Sequence, residues 1–416
     1  MSSTPPAAHT TAFNTNRAKA LAGIGLGLLL AACSTGRPGL RPDEVPAREF
    51  AARGYASVEQ GAVTTGAQTW VVGGQSIRVV VAQPGHAGTS ALVIYLPGLG
   101  ETSVAGEHWR SAWASAGYTV MSVQPLAEDA AAWTSDLALD GDFKTLGRQR
   151  YSGAAMNQRV QMLADIVHEA QRRSRSGEPV WQRVDWDRVA IAGFDLGAYT
   201  AMVVAGERVQ DVAPATASFN VRAAIALSPY ASFAAGALDT RYLGIHGPVL
   251  SVTGDADRDS LGLVNAPLLR TAPFNQMTGP DKYLLSLHGL PHSALGGSEL
   301  SNHRADPDTP AAEESRRSSA STDGDPPRRS SGKRRGGGGG GGETNSARPS
   351  FEGNEPGRVT SAALSANAVL SGVIAAQGVS TAFLDAYLKQ DPMAREWLAA
   401  RAPAWLAGAG AELRRK

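Results

Sequence analysis

The stretch "VAIAGFDLGAYTAM", residues 189–202, constrains the fold more than any other part of the chain. Its first half is a small-residue and apolar run that indicates a buried strand, and its second half has the composition of a helix. Gly193-Phe194-Asp195-Leu196-Gly197 stands between the two halves. Glycines at both ends of such a turn permit a close approach of strand and helix that side chains would block. The stretch therefore predicts a sharp strand–turn–helix element that presents Asp195 at the start of a helix.

Strand-like and helix-like segments alternate from about residue 55. "SALVIYLPGLG" is a continuous apolar run that proline and glycine stop, which is typical of a strand buried on both faces. "QSIRVVVAQP" follows Gly73-Gly74 and predicts the second strand of a hairpin, whereas "GAAMNQRVQMLADIVHEAQRRS" has helical spacing. This alternation predicts an α/β fold, with a mostly parallel central sheet and helices on both faces. A net charge of +1 gives no reason to expect nucleic acid as a partner.

The N-terminal residues indicate export. "NRAKALAGIGLGLLLAAC" has a basic start, a short apolar run and small residues before Cys33, a pattern typical of a secretory signal rather than a membrane span. Leu30-Ala31-Ala32-Cys33 resembles the bacterial lipobox, which implies a signal peptide over 1–33 and an acylated Cys33 anchored in the lipid bilayer. Ser34 resembles the outer-membrane sorting pattern, so we expect a cell-envelope protein. Cys33 is the only cysteine, and an intramolecular disulfide is therefore excluded.

Two further segments interrupt the globular pattern. Residues 34–54 predict a tether between the anchor and the folded domain. Residues 298–358 are rich in Ser, Arg, Gly and Pro with few apolar side chains, and they predict a disordered insertion that could serve as a lid or a partner segment. Helices are predicted over 359–416, where Asp391 would cap a helix that begins at Pro392.

Candidate catalytic residues follow the predicted strands one after another. Asp195 lies in the glycine-bounded turn, carboxylates that include Asp257 and Asp259 follow "GPVLSVTG", and His292 follows "KYLLSLHGLP". Upstream, Leu99 and Gly100 in "IYLPGLGE" could offer a backbone N–H to an oxyanion, together with the N–H of Leu196. Because the carboxyl ends of parallel strands share one edge of a sheet, we expect these groups to converge there.

The order of these residues resembles the α/β-hydrolase fold family, in particular the cap-less dienelactone hydrolases, cutinases and platelet-activating-factor acetylhydrolase-like esterases. The resemblance rests on "SALVIYLPGLG", "WASAGYTVMSVQP", "DWDRVAIAGFDLGAYTA", "PVLSVTGDADRD", "LPHSALGG" and "STAFLDAYL", and it covers about residues 55–297 and 360–405. It implies a hydrolase domain over 55–297, closed by 359–416, with no metal or cofactor. It also implies Asp195 at the nucleophile position, His292 as the base and Asp257 as the acid, with Asp259 as the alternative acid.

Aspartate at position 195 departs from those esterases, which use serine. A carboxylate is ionised at neutral pH, so it could attack an sp³ carbon as haloalkane dehalogenases and epoxide hydrolases do, or it could activate water as a general base. The alternative to a hydrolase is a binding protein whose hydrolase-like site has lost its catalytic activity. Esters, lactones, polyester fragments, halogenated compounds and epoxides all remain open as small-molecule substrates. Carboxylates on both sides of His292 should raise its pKa.

Other residues between and beside the predicted strands have structural explanations or no defined place. Residues 231–246, between two predicted strands, are too few for a helical cap, although Tyr242 and His246 in this segment could approach a substrate. Trp109 and Trp113 are predicted to pack in the core.

Overall fold

The computed structural model describes residues 44–214, 219–259, 261–264, 266–298 and 361–416. The predictions for the signal peptide, for Cys33, for residues 34–43 of the tether and for residues 299–358 of the insertion lie outside these described residues.

A nine-stranded sheet runs through the protein, with the strand order β1-β2-β4-β3-β5-β6-β7-β8-β9. The six strands from β4 to β8 in that order are parallel to one another, while β1, β2 and β9 join the edges in antiparallel pairs. The predicted mostly parallel α/β sheet is thereby confirmed. The strands are β1 Val63–Val72, β2 Gln75–Pro84, β3 Ser90–Leu96, β4 Thr119–Val123, β5 Val184–Phe194, β6 Val221–Leu227, β7 Val249–Gly254, β8 Lys282–Leu287 and β9 Ala411–Arg415.

Helices connect the strands. They are α1 Glu44–Ala52, α2 Glu107–Ser115, α3 Ala127–Ala130, α4 Asp136–Leu139, α5 Phe143–Arg150, α6 Gly153–Arg175, α7 Pro179–Gln182, α8 Leu196–Val204, α9 Leu238–Arg241, α10 Ala272–Gln276, α11 His292–Leu295, α12 Ser361–Tyr387, α13 Pro392–Glu396 and α14 Ala402–Leu406. Short 3₁₀ turns cover Ala132–Thr134, Phe233–Ala235, Pro267–Thr271 and Ala407–Ala409, and a π-helical turn covers Trp397–Arg401.

Both faces of the central strands are buried, and their side chains alternate between the two faces. In β3, Val93 and Tyr95 contact an apolar cluster that includes α2 and α12, whereas Leu92 and Ile94 contact a second cluster that includes α6 and α8. Both tryptophans that were assigned to the core, on α2, are fully buried. Residues Asn367–Tyr387 of α12 are long and apolar enough to cross a membrane by length and composition, but most of that stretch is buried within the protein.

Local signals in the sequence are confirmed in two places. Gly73 and Gly74 have φ values of 57° and 79°, and they form the tight turn between β1 and β2. The Asp391 carboxylate accepts a hydrogen bond from the Met393 N–H at 2.8 Å, and Pro392 is the first residue of α13.

The structure shows regular elements within two of the predicted segments. Residues 44–52 of the predicted tether form α1, in which Phe50 is buried and stacks on Trp405 with ring centroids 4.4 Å apart. The predicted C-terminal helices end before β9, which pairs with the otherwise open edge of β8. Gly410, with φ of 61°, turns the chain into this strand.

Candidate functional site

The turn after β5 holds Asp195 in a strained conformation, with φ of 50° and ψ of −110°. The Asp195 N–H donates to the Leu227 carbonyl at 3.0 Å, so the turn is tied to the neighbouring strand. A Cβ on Gly193 would overlap the backbone of Gly197, and a Cβ on Gly197 would overlap the carbonyl of Leu96. The sequence pattern therefore produces the predicted element, because only glycines fit where α8 crosses the end of the sheet.

His292 and Asp257 meet at the carboxyl edge of the sheet. His292 Nδ1 lies 2.7 Å from Asp257 Oδ1 and 2.9 Å from Ser228 Oγ. The Asp257 carboxylate also accepts from Ser228 Oγ at 2.8 Å and from Thr253 Oγ1 at 2.7 Å. Asp257 is 1% exposed, so its orientation and that of the imidazole are fixed by hydrogen bonds rather than by solvent.

Asp259 has a different environment from Asp257. Its carboxylate accepts hydrogen bonds from the N–H groups of Leu263 and Val264, both at 3.0 Å, and from Arg270 Nη2 at 3.2 Å. These bonds shape the loop after β7. The structure therefore brings Asp257, and not Asp259, to His292.

A buried arginine lies behind the two aspartates. Arg270 is fully buried; its Nε lies 3.4 Å from Asp257 Oδ1, and its Nη1 donates to the carbonyls of Ser228 and Pro229. Burial alone would raise the pKa of Asp257, but the hydrogen bond to His292 and the charge of Arg270 outweigh it and hold the pKa below its ordinary value. Asp257 is therefore a carboxylate at neutral pH.

The imidazole of His292 is shifted in the direction expected from the flanking carboxylates. Burial by itself would lower its pKa, but the hydrogen bond to Asp257 and the charges of Asp195 and Asp257 raise it above the ordinary value. The ring also packs against Phe194, with centroids 4.8 Å apart. Asp195 thus lies close enough to His292 for its charge to favour the imidazolium.

Tyr151 lies on the other side of Asp195. Burial, and then the charge and hydrogen-bonding interaction of the Asp195 carboxylate, raise the pKa of the Tyr151 hydroxyl well above its usual range. Tyr151 therefore remains a protonated donor that faces this carboxylate. A pocket of about 540 Å³ opens beside its ring, and Tyr199, Tyr230 and Leu263 are among the residues that line it.

One backbone N–H on the loop after β3 and one at the start of α8 are candidates for binding an oxyanion. Within the described part of the chain, the N–H groups of Leu99 and Leu196 donate no hydrogen bond. The N–H of Gly100, the other residue considered for the oxyanion, donates to the Asp129 carbonyl at 2.7 Å and is not free. Leu99 and Leu196 are the two positions at which an oxyanion could be bound.

Glu101, on the same loop, is a second carboxyl group at this site. Its Oε2 accepts from the Gly98 N–H at 2.8 Å. Burial, with the charge of Asp195 in addition, raises the pKa of Glu101 to about 7, although the bond from Gly98 and the charge of His292 oppose the rise. The site therefore contains an ionised Asp257 and a Glu101 that is partly protonated near neutral pH.

Two residues considered earlier lie elsewhere. Tyr242 is fully buried, with Arg241 packed over its ring. His246 is exposed and precedes β7, at the opposite edge of the sheet from Asp195. Neither residue belongs to the site.

Sequence reasoning missed Ser228, Arg270, Tyr151 and Glu101. Ser228 directly follows β6 and Glu101 lies on the loop after β3, so their place at strand ends was a usable signal. Tyr151 and Arg270 follow no strand end directly, and only the fold brings them to the site. Among the described residues, no group of three or more His, Cys, Asp or Glu is arranged to hold a metal ion.

Comparison with protein-family models and with curated proteins finds no match for this chain.

Proposed function

We propose that this protein is a hydrolase of the α/β-hydrolase fold in which Asp195 is the nucleophile, His292 the acid–base group and Asp257 the residue that orients His292. The observation that carries the proposal is the strained turn of Asp195, which lies beside a histidine bonded to a buried carboxylate. The strand order supports the fold assignment. Between β6 and β7 lie only short helical turns, Phe233–Ala235 and Leu238–Arg241, which supports a cap-less member.

An ionised carboxylate favours attack at an sp³ carbon over attack at an ester carbonyl. A tetrahedral adduct formed at a carbonyl would expel the carboxylate more readily than an alkoxide and would revert to substrate. Attack at an sp³ carbon displaces the leaving group and forms an ester of Asp195, which water must then cleave. Such chemistry needs neither metal nor cofactor.

The charge coupling between Asp195 and His292 fits these two steps. While Asp195 is ionised, its charge helps to keep His292 protonated. Formation of the ester removes that charge, so the pKa of His292 falls and a larger fraction of the imidazole is neutral and able to accept a proton when water has to be activated. Asp257 remains ionised throughout and holds Nδ1. Water attacks the carbonyl carbon of the ester, and the unpaired N–H groups of Leu99 and Leu196 would bind the developing oxyanion.

The proposal also includes the place in the cell where the protein acts. The lipobox at Cys33 supports an exported protein, anchored in the cell envelope by acyl chains, that acts on a small-molecule substrate.

Covalent trapping tests the proposed nucleophile. His292→Gln removes the base that hydrolyses the ester, so an alkylating probe should accumulate on Asp195. Purified His292→Gln protein is incubated with phenoxypropyl bromide and analysed by intact mass and peptide mapping. We expect one adduct per chain, on Asp195, and none in His292→Gln/Asp195→Asn.

Two results would contradict the proposal. Hydrolysis of the probe by wild type without an adduct in the trapping variant would assign Asp195 as a base that activates water. The absence of both hydrolysis and adduct with phenoxypropyl bromide and with phenyl glycidyl ether would favour a binding protein that retains the fold.

A further inference from the structure

Glu101 is held in a fixed position at the site. Its Oε2 accepts from Gly98, and its own N–H donates back to the Gly98 carbonyl at 3.2 Å. Gln124 Nε2 donates to the carbonyls of Gly98 and Glu101 at 3.0 and 3.1 Å. The carboxyl group is therefore anchored to a loop that a buried amide secures.

The second oxygen of Glu101 lies between the C-terminal end of α11 and the ring of Phe194. A Cβ built on Gly296 would lie 3.0 Å from Glu101 Oε1 and 3.2 Å from the Phe194 ring. Oε1 thus lies beside the end of α11, the helix that begins at His292. Within the described residues, Oε1 accepts no hydrogen bond and no lysine or arginine pairs with the carboxyl group.

Burial favours the protonated form of Glu101, and the charged groups around it act in both directions. Asp195, on the turn after β5, raises its pKa and His292, on α11, lowers it; Tyr95, on β3, is also within electrostatic range. Because Oε2 accepts the hydrogen bond from the Gly98 N–H, Oε1 is the oxygen that carries the proton of the carboxylic acid. The site therefore pairs a nucleophilic carboxylate with a separate carboxylic acid.

We propose that Glu101 donates the proton to the leaving oxygen when Asp195 attacks, and that the substrates are consequently epoxides. This inference rests on the proposed role of Asp195 as nucleophile. The Asp195 oxygen forms a bond to one epoxide carbon, the bond from that carbon to the ring oxygen breaks, and the ring oxygen takes the proton from Oε1. The products are a hydroxyalkyl ester of Asp195 and an ionised Glu101. Water then cleaves the ester to a diol and the Asp195 carboxylate, and the released proton returns to Glu101.

The leaving group decides between epoxides and halogenated compounds. An alkoxide is a strong base and is a poor leaving group unless it is protonated as the bond breaks, whereas a halide ion leaves without a proton. A carboxylic acid at this place therefore serves an oxygen leaving group and adds little for a halide.

The experiment compares two probes that share a phenoxy group. His292→Gln protein is labelled with phenyl glycidyl ether, an epoxide, and with phenoxypropyl bromide, and the labelling rate of Asp195 is followed by mass spectrometry. Glu101→Gln is introduced into the same background; its amide oxygen can still accept from Gly98, so the loop is retained. Glu107→Gln, at an exposed position on α2, is the matched control.

We expect Glu101→Gln to slow labelling by the epoxide about 100-fold or more at pH 6, while the bromide reacts at an unchanged rate. The epoxide rate should fall as the pH rises through the pKa of Glu101, and this fall should be absent in Glu101→Gln. Equal slowing with both probes would make Glu101 a residue that positions the loop and would overturn the proposal. Loss of the epoxide rate in Tyr151→Phe instead of Glu101→Gln would assign the proton to Tyr151. Labelling by neither probe would refute the role of Asp195 itself.

Discussion

Replacement of Arg270 by methionine would leave two carboxylates, Asp257 and Asp259, without the buried cation that faces both. Methionine retains most of the apolar stem, so the change removes charge and hydrogen bonds more than packing. Loss of one partner from a buried ion pair costs about 3–5 kcal/mol. Because His292 still pairs with Asp257, we expect Arg270→Met to lower the free energy of unfolding by about 3 kcal/mol at neutral pH.

The effect should depend on pH in a defined direction. Burial raises the pKa of Asp257. The hydrogen bond to His292 and the charge of Arg270 lower it by more, so the net effect is a decrease. The stability gained from a lowered carboxyl pKa is present above the unfolded pKa and is lost as the pH falls through the folded one. Without Arg270 the pKa of Asp257 rises and the buried charge can be neutralised at milder acidity. The difference in unfolding free energy between the variant and wild type should therefore shrink as the pH is lowered from 7 toward 4.

Urea denaturation at several pH values measures this difference. Arg188→Met is the matched control, because Arg188 forms a partly exposed pair with Asp185 at 2.6 Å; we expect a loss below about 1 kcal/mol. If Arg270→Met were no more destabilising than Arg188→Met, the reasoning about the buried charges would be refuted.

Two further predictions concern the imidazole and the N-terminal helix. Asp195→Asn should lower the pKa of His292, because it removes one of the charges that raise it. NMR titration of the His292 ring, with its signals assigned by means of His292→Gln, measures this pKa. An unchanged pKa would show that the charge of Asp195 does not act on His292. Phe50→Ala should lower the free energy of unfolding by about 3 kcal/mol in urea denaturation. Val58→Ala is the control, because it alters a 91% exposed side chain and should change the stability little. Equal effects of the two substitutions would show that α1 does not pack into the core and belongs to the tether.

Much of the sheet could be predicted because its strands are apolar runs bounded by glycine and proline. The ends of those strands then placed Asp195, Asp257 and His292 along one edge. The glycines that flank Asp195 predicted the turn because a Cβ at either position has no room.

The remaining features depend on contacts between distant parts of the chain. Phe50 belongs to the core because Trp405 lies against it, and no local pattern reveals that partner. The short "AELRR" segment becomes a strand because β8 offers an unpaired edge. The choice between Asp257 and Asp259 required the position of His292 in space. Glu101 lies on a recognisable loop, yet its position beside Asp195 is a property of the fold.

The central claim is that a working hydrolase site surrounds an altered nucleophile. Hydrolysis of p-nitrophenyl butyrate by wild type, Asp195→Ser and Asp195→Ala tests it most directly, with circular dichroism to show that all three are folded. Serine removes one of the charges that raise the pKa of His292, and it supplies a hydroxyl that His292 can activate. We predict an acyl-enzyme burst in Asp195→Ser and no burst in wild type or Asp195→Ala. An Asp195→Ser protein that is folded and no faster than Asp195→Ala would contradict the account.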